Sequence, residues 1–312
     1  MKYIDLHCDT LTVCCDSGQS IIKNNLQADV ERLIKSGSIA QCFAIFTEGT
    51  SAPQDFETYL SFYLKELDNN PDKILPVTSS QNLKKCVSSG ILGGILTVEN
   101  LSFIGDDLSK IARLSKGGVK MASLVWNNEN LLASPNLSFK DGMPQFSERC
   151  KKGLTDLGRQ AVEELDKNKI IVDISHLSDG GAEDILKNRK IPVVASHSNA
   201  EKVCGVCRNL TDGLIKQIAD CGGVIGVNYC MDFLGGETFE SVARHISHII
   251  NIGGTDCIAL GSDFDGIPAP ADLEDCSKIE RLSEFLEGRI GITALEKLAH
   301  LNFERVFKEV CG

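Results

Sequence analysis

No stretch of this chain stays apolar for the ~18 residues that a membrane-spanning helix needs, so no helical span is expected. Nothing before Ile4 resembles the charged start and apolar run of a signal peptide, and the last residues read FKEVCG, so neither a secretory leader nor a lipid anchor is expected. Positive charge is also short. Lys and Arg number 32 against 43 Asp and Glu, a formal net charge of −11, and the acids are dispersed rather than run together. Such a surface disfavours nucleic acid and anionic membranes as partners but does not oppose metal cations. A G-x-G-x-x-G after the first apolar run is missing, which weighs against an open dinucleotide-binding sheet. Cys204 and Cys207 form a C-x-x-C with no second pair at zinc-finger spacing. There is no low-complexity linker and no short-period repeat.

Cysteine is not scarce. The thirteen cysteines are an odd number at irregular spacings. A chain of 312 residues can bury a core without disulfide staples. Free thiols in a reducing, cytoplasmic setting are therefore expected.

Eight short apolar runs recur along the chain: YIDLHCD (3–9), IAQCFAIF (39–46), GILTVE (94–99), MASLVW (121–126), IIVDISH (170–176), PVVASH (192–197), GVIGVNY (223–229) and CIALGSD (257–263). They are rich in β-branched residues and nearly continuous in apolarity, as strands buried on both faces should be. Between them lie charged segments of helical periodicity, such as QDFETYLSFYLKELDNN and GLTDLGRQAVEELDKNK, several ending in Gly. This alternation predicts an α/β chain folded as one (β/α)8 TIM barrel over 1–312, with an open doubly wound sheet as the alternative. The last stretch, 277–310, reads as helix, turn and helix closing the barrel. The long loop NENLLASPNLSFKDGMPQF (128–146) after strand four is of the kind that shapes a site.

The ionisable residues cluster where these runs end. Strand one closes with His7 and Asp9, which alternation would point to one face. Strand three ends with Glu99, strand five with His176, strand six with His197 and strand eight with Asp263. A (β/α)8 barrel brings all these ends to one rim, where active sites lie. Each residue taken singly has a plainer explanation, a solvated rim His, a helix N-terminal acid at Glu99 or a turn at Asp263. Taken jointly they point to a metal site, because three His and three acids at one mouth need a counter-charge. Mixed imidazole and carboxylate ligands suit zinc, with manganese, cobalt or iron as substitutes. Five ligands exceed one tetrahedral site, which implies two ions sharing a carboxylate and metal-assisted hydrolysis of an amide or ester. The other histidines, His245, His248 and His300, fall on predicted helices away from the rim and read as packing or surface residues.

The segments GLTDLGRQAVEELDKNKIIVDISHLS and VVASHSNAEKVCGVCRNLTD, with DLHCDT, GVKMASLVWN, GSDFDG and LNFERVF, resemble the renal (membrane) dipeptidase family of zinc peptidases across nearly the whole chain. The resemblance implies a (β/α)8 metal-dependent hydrolase with two Zn2+. His7, Asp9 and Glu99 would ligate one ion, Glu99 would bridge, and His176 and His197 would complete the second. Asp263 matches the acid/base aspartate and Arg208, in CRNLTD, the arginine that binds the substrate carboxylate, a task its fork suits. Where many eukaryotic members carry a histidine that helps stabilise the tetrahedral intermediate, this chain has Trp126, as bacterial members often do. Asn127 or Asn128 could supply a donor there, and Trp126 itself would line the substrate pocket. The implied activity is a metallodipeptidase acting on dipeptides with a free C-terminal carboxylate and tolerating a D-residue there. A hydrolase of another small amide, such as an N-acyl amino acid or a cyclic amide, and a non-catalytic metal-binding barrel are the alternatives. A small peptide is the expected partner, and a homodimer would fit the family.

Overall fold

The apolar runs pair with one another edge to edge, because each needs both faces covered. The computed structural model describes residues 1–140 and 143–312. Its parallel strands are β1 (Tyr3–Cys8), β2 (Ser38–Phe46), β3 (Leu92–Glu99), β4 (Val119–Ser123), β5 (Ile171–Asp173), β6 (Val194–Ala195), β7 (Val224–Val227) and β8 (Ile258–Leu260). Each pairs with the next, and β8 returns to β1 with Asp5 facing Leu260, so the ring is closed. This is the (β/α)8 barrel that the alternation predicts. One more short strand, Ile74–Pro76, pairs with the start of β3 as an addition to the ring.

Several strands are shorter than the apolar runs that mark them. β5, β6 and β8 stop before His176, His197 and Asp263. Side chains take over from the ladder there. The Asp173 carboxylate accepts hydrogen bonds from the Ser175 and Ser196 backbone N–H groups (2.9 and 3.0 Å). The Asp5 carboxylate accepts one from the Ser262 N–H (2.8 Å). The chain thus leaves the sheet early, and the next residues turn over the rim.

Two apolar layers hold the barrel. Residues such as Phe43, Ile45, Leu96, Val98, Ile225 and Val227 pack outward with the surrounding helices. A second cluster joins Ile4, Leu6, Cys42, Ile95, Met121, Val194 and Val224 to Phe303, Val306 and Phe307 of the closing helix Asn302–Cys311. The predicted helix, turn and helix is found as Ile279–Ile290, a break at Gly291, and a run from Ile292 through a π turn into that closing helix. Helix starts carry side-chain caps where the sequence offers them, for example Thr155 accepting from Gly158 N (2.9 Å) and Thr211 from Leu214 N (3.2 Å).

The long segment after β4 crosses the rim. It includes a small hairpin of Ser138–Lys140 with Met143–Gln145, and residues 141 and 142 of the loop lie outside the described residues. Arg149 pins it with bonds to both Asp179 oxygens (2.6 and 2.7 Å) and to the Asn209 carbonyl (2.9 Å). All thirteen cysteines, Cys204 and Cys207 included, are free thiols. Among the described residues no helix is long and apolar enough to cross a membrane.

Candidate metal centre and active site

The six residues that end apolar runs meet on one rim. His7 is the penultimate residue of β1 and Glu99 the last of β3. Asp9 lies just beyond β1, at the start of the helix Thr10–Ser17. Its meeting with His7 therefore comes from the strand-to-helix turn and not from alternation along a strand. His176 and Asp263 hold φ values of 66° and 64°, in the left-handed region that non-glycine residues avoid. Such a conformation costs roughly 1–3 kcal/mol and persists only where surrounding structure fixes it. Here it aims both side chains inward.

Glu99 stands at the middle. Its Oε2 is 3.6 Å from His7 Nε2, and its Oε1 is 2.9 Å from His176 Nε2 and 3.5 Å from His197 Nε2. On the other side His7 Nε2 is 3.6 Å from Asp9 Oδ2 and 3.8 Å from Asp263 Oδ1. His176 and His197 approach Nε2 to Nε2 at 2.9 Å. Two overlapping groups result, His7–Glu99–His197 and His7–Asp9–Asp263, each with its ligand atoms close enough to share one cation.

Burial makes this cluster electrically expensive. Burial alone would strip the His7 proton, but Glu99, Asp9 and Asp263 outweigh it and raise the pKa to about 10. Burial, reinforced by Asp9 and Glu99 and opposed by His7 and an Asn228 hydrogen bond, lifts Asp263 to about 7. Burial also raises Glu99 and Asp9. Burial, with Arg208 and His7 nearby, pushes His176 and His197 well below the usual histidine range. With protein atoms alone the cluster must store protons on its own ligands. Divalent cations would take the place of those protons.

The donor set fits cations. His7 Nε2 and Asp9 Oδ1 are buried without a hydrogen-bond partner. Unpaired buried polar atoms are rare unless something else satisfies them. Imidazole nitrogens and carboxylate oxygens in this number would do so for zinc or a similar ion.

A cavity of about 510 Å³ opens over the cluster, with Asp9, Glu99, His176 and Asp263 among its lining residues. Trp126 and Phe46 meet edge to face in its wall (4.8 Å), and Trp126 lies 6.2 Å from the His176 ring. Asp16, Glu48, Asp55 and Asp265 add four more carboxylates, and no Lys or Arg lines the cavity among the described residues. Arg208 is 1% exposed and does not line it. Its Nη1 donates to Ser198 Oγ and its Nη2 to the His197 carbonyl (both 3.1 Å), while Nε has no partner. Phe233, a lining residue, covers the guanidinium at 5.6 Å.

Residues that the end-of-strand rule passes over also shape the site. Asn228, just past β7, donates from Nδ2 to Asp263 Oδ2 at 2.8 Å, and its own Oδ1 is held by the Cys230 N–H. A strand-end polar residue was the available signal. Gly266 sits so close that a Cβ there would lie 2.1 Å from Asp9 Oδ2 and 2.7 Å from Asp263 Oδ1. The remaining histidines stay off the rim: His245 accepts from Ala200 N (3.1 Å), His248 meets Asp212 and His300 meets Glu304 (2.7 Å each).

The chain matches, over residues 1–311, the family model described as membrane dipeptidase (peptidase family M19). It is 31% identical over 240 residues to an uncharacterized protein in the pqqA 5′ region of Klebsiella pneumoniae, covering 74% of this chain and 87% of that one. It is 34% identical over 230 residues to an uncharacterized dipeptidase of Schizosaccharomyces pombe, covering 71% of this chain and 54% of that protein. Its fold is similar to a metallopeptidase of Rhodobacter sphaeroides solved with a phosphinate mimic of the dipeptide L-Ala-D-Ala. The TM-score is 0.90 at 24% identity, with 99% of each chain covered.

Proposed function

The chain belongs to the membrane dipeptidase family of metallopeptidases, M19, and from that premise we propose that it cleaves dipeptides carrying both a free amino group and a free carboxylate, using two zinc ions. The carrying observation is the placing of Glu99 between His7 on one side and His176 with His197 on the other, at a cavity that offers carboxylates and, among the described residues, no Lys or Arg. In this reading His7, Asp9 and Glu99 hold one ion, and Glu99, His176 and His197 hold the second. Bound there, the ions supply Lewis-acid polarisation of the scissile carbonyl and acidify the attacking water.

The chain's own groups do the rest. Asp263 Oδ2 is engaged by Asn228, so Oδ1 is the oxygen that takes the proton of the attacking water and passes it to the leaving amine. Trp126 and Phe46 wall the peptide. Arg208 feels Asp263, Glu99 and Asp173 at a distance, but its hydrogen bonds among the described residues go to a hydroxyl and a carbonyl and its Nε has no partner, so the buried guanidinium favours an incoming carboxylate. The substrate's C-terminal carboxylate is that partner, reached when Phe233 gives way. The Rhodobacter metallopeptidase's ligand mimics L-Ala-D-Ala, which supports a D-residue at that end. The acid-lined cavity favours a substrate bringing an ammonium, hence a dipeptide over an N-acyl amino acid.

The test is amino-acid release from a dipeptide panel with L- or D-residues at the C-terminal position, using zinc-loaded, chelated and Asp263→Asn protein. Chelator-sensitive release is expected, with kcat in Asp263→Asn down by about 10²–10⁴-fold and both metals retained. Two bound metals with no release across the panel would overturn the dipeptidase reading, and near-normal kcat in the variant would remove Asp263 from the reaction.

A further inference from the structure

A neutral imidazole carries one N–H, so whatever occupies Nδ1 decides whether Nε2 offers a lone pair or a hydrogen. At His197 the answer is fixed by counting hydrogens. Ser196 Oγ touches both His197 Nδ1 (2.7 Å) and Asp173 Oδ2 (2.5 Å). A carboxylate accepts only, so it takes the single hydroxyl hydrogen. The serine oxygen must then accept from His197 Nδ1–H, which leaves the Nε2 lone pair facing Glu99.

His176 lacks such a serine. Its Nδ1 lies 2.9 Å from the side-chain amide oxygen of Asn127, on the turn after β4. Were the amide reversed, its NH₂ would donate to Nδ1 and force a hydrogen onto Nε2. That hydrogen would be donated to Glu99 Oε1 or His197 Nε2, both 2.9 Å away, and would leave His176 no lone pair there for a cation.

We propose that Asn127 is a positioning residue of the metal centre. Its side-chain oxygen accepts the Nδ1 hydrogen of His176 and turns the Nε2 lone pair toward Glu99 and His197, as the Asp173–Ser196 pair does for His197. The assignment rests on the two-ion reading above. It gives Asn127, which lines the cavity beside Trp126, a task other than donating to substrate.

The experiment uses the full chain as wild type, Asn127→Leu and Asn127→Asp, with folding checked by thermal melting. Asp keeps the acceptor and cannot donate, so it separates the two amide orientations. Long-range ¹H–¹⁵N spectra of the metal-free protein, labelled at histidine, read the tautomers directly. Wild type and Asn127→Asp should show His176 protonated at Nδ1, and Asn127→Leu should lose that state. Competition with a chelator should show one of two zinc ions weakened about 10–100-fold in Asn127→Leu, the other within twofold, and the weakened one restored in Asn127→Asp. An Nε2-protonated His176 in wild type overturns the proposal. So does Asn127→Leu binding both ions as wild type does, or Asn127→Asp behaving like Asn127→Leu. Failure of the dipeptidase reading would show as absent peptide cleavage and would leave the tautomer result standing.

Discussion

His7 and Asp263 stand 3.8 Å apart at one edge of the cluster, and their surroundings decide where the protons sit. His7 is held protonated to about pH 10 by Glu99, Asp9 and Asp263 acting against burial. In the unfolded chain a histidine gives up that proton near pH 6.5. Between these values the folded, metal-free protein binds a proton that the unfolded chain has lost. Its stability therefore falls as pH rises from about 7 to about 10, by at most about 1.4 kcal/mol per pH unit for one proton. Asp263, lifted to about 7, adds a slope of the same sign only near pH 7, since it is ionised in both states about one pH unit higher. With metal bound the His7 proton is displaced and its share of the slope is lost, while the share of the buried cysteines, whose thiols burial pushes up, remains in both forms. Urea denaturation of chelated and zinc-loaded protein at pH 7, 8 and 9 checks this, and parallel curves for the two forms would contradict it.

At the scale of the elements, the two ends of the barrel are built for different work. At the rim, β7 and β8 lie so close to β6 that a Cβ on Gly261 would be 1.9 Å, and one on Gly226 2.1 Å, from the Ser196 carbonyl oxygen. Backbone cannot yield there as a side-chain tip would. At the other end Phe307, fully buried on the closing helix, packs with barrel-lining residues such as Ile4 and Val224. Gly261→Ala should destabilise by about 1–3 kcal/mol and also impair turnover, since Ser262 and Asp263 follow directly. Phe307→Ala should cost more, about 3–5 kcal/mol, yet leave kcat of the surviving folded protein within about twofold. Denaturation midpoints with kcat measured well below them separate the two, and a kcat loss in Phe307→Ala equal to that in Gly261→Ala would refute the division. The strands themselves were legible because burial on both faces leaves nearly unbroken apolar runs. Their ends were not, since Asp5 and Asp173 replace ladder bonds with side-chain bonds that no local pattern announces.

For the whole molecule, the deficit of positive charge acquires a location. The net charge of −11 is spread along the sequence, but folding gathers Asp16, Glu48, Asp55 and Asp265 with the inner carboxylates around one cavity free of Lys and Arg among the described residues. A zwitterionic dipeptide gains there from its ammonium. N-acetylating a cleaved dipeptide should lower kcat/KM at least about tenfold, or about 1.4 kcal/mol. The gap should narrow as salt shortens the Debye length from ~10 Å at 0.1 M to ~3 Å at 1 M. Equal kcat/KM for free and acetylated peptides would remove this role for the cavity acids and move the reading toward an N-acyl amino acid hydrolase.

By itself the sequence determined the barrel and the rim candidates His7, Asp9, Glu99, His176, His197 and Asp263. An apolar run that ends in a polar residue carries both facts, and a closed parallel barrel has only one end at which its strands finish. Tertiary structure alone decided which atoms face which. It placed Arg208 behind Phe233 and off the cavity lining. It set Asn228 on one oxygen of Asp263 and Asn127 on one nitrogen of His176. It brought acids from separate helices and loops to one mouth. Those outcomes depend on distances of about 3 Å between residues tens to hundreds of positions apart. Hydrogen bonds and charges act at that range, whereas the pattern of a sequence encodes little beyond which face of its own element a residue takes.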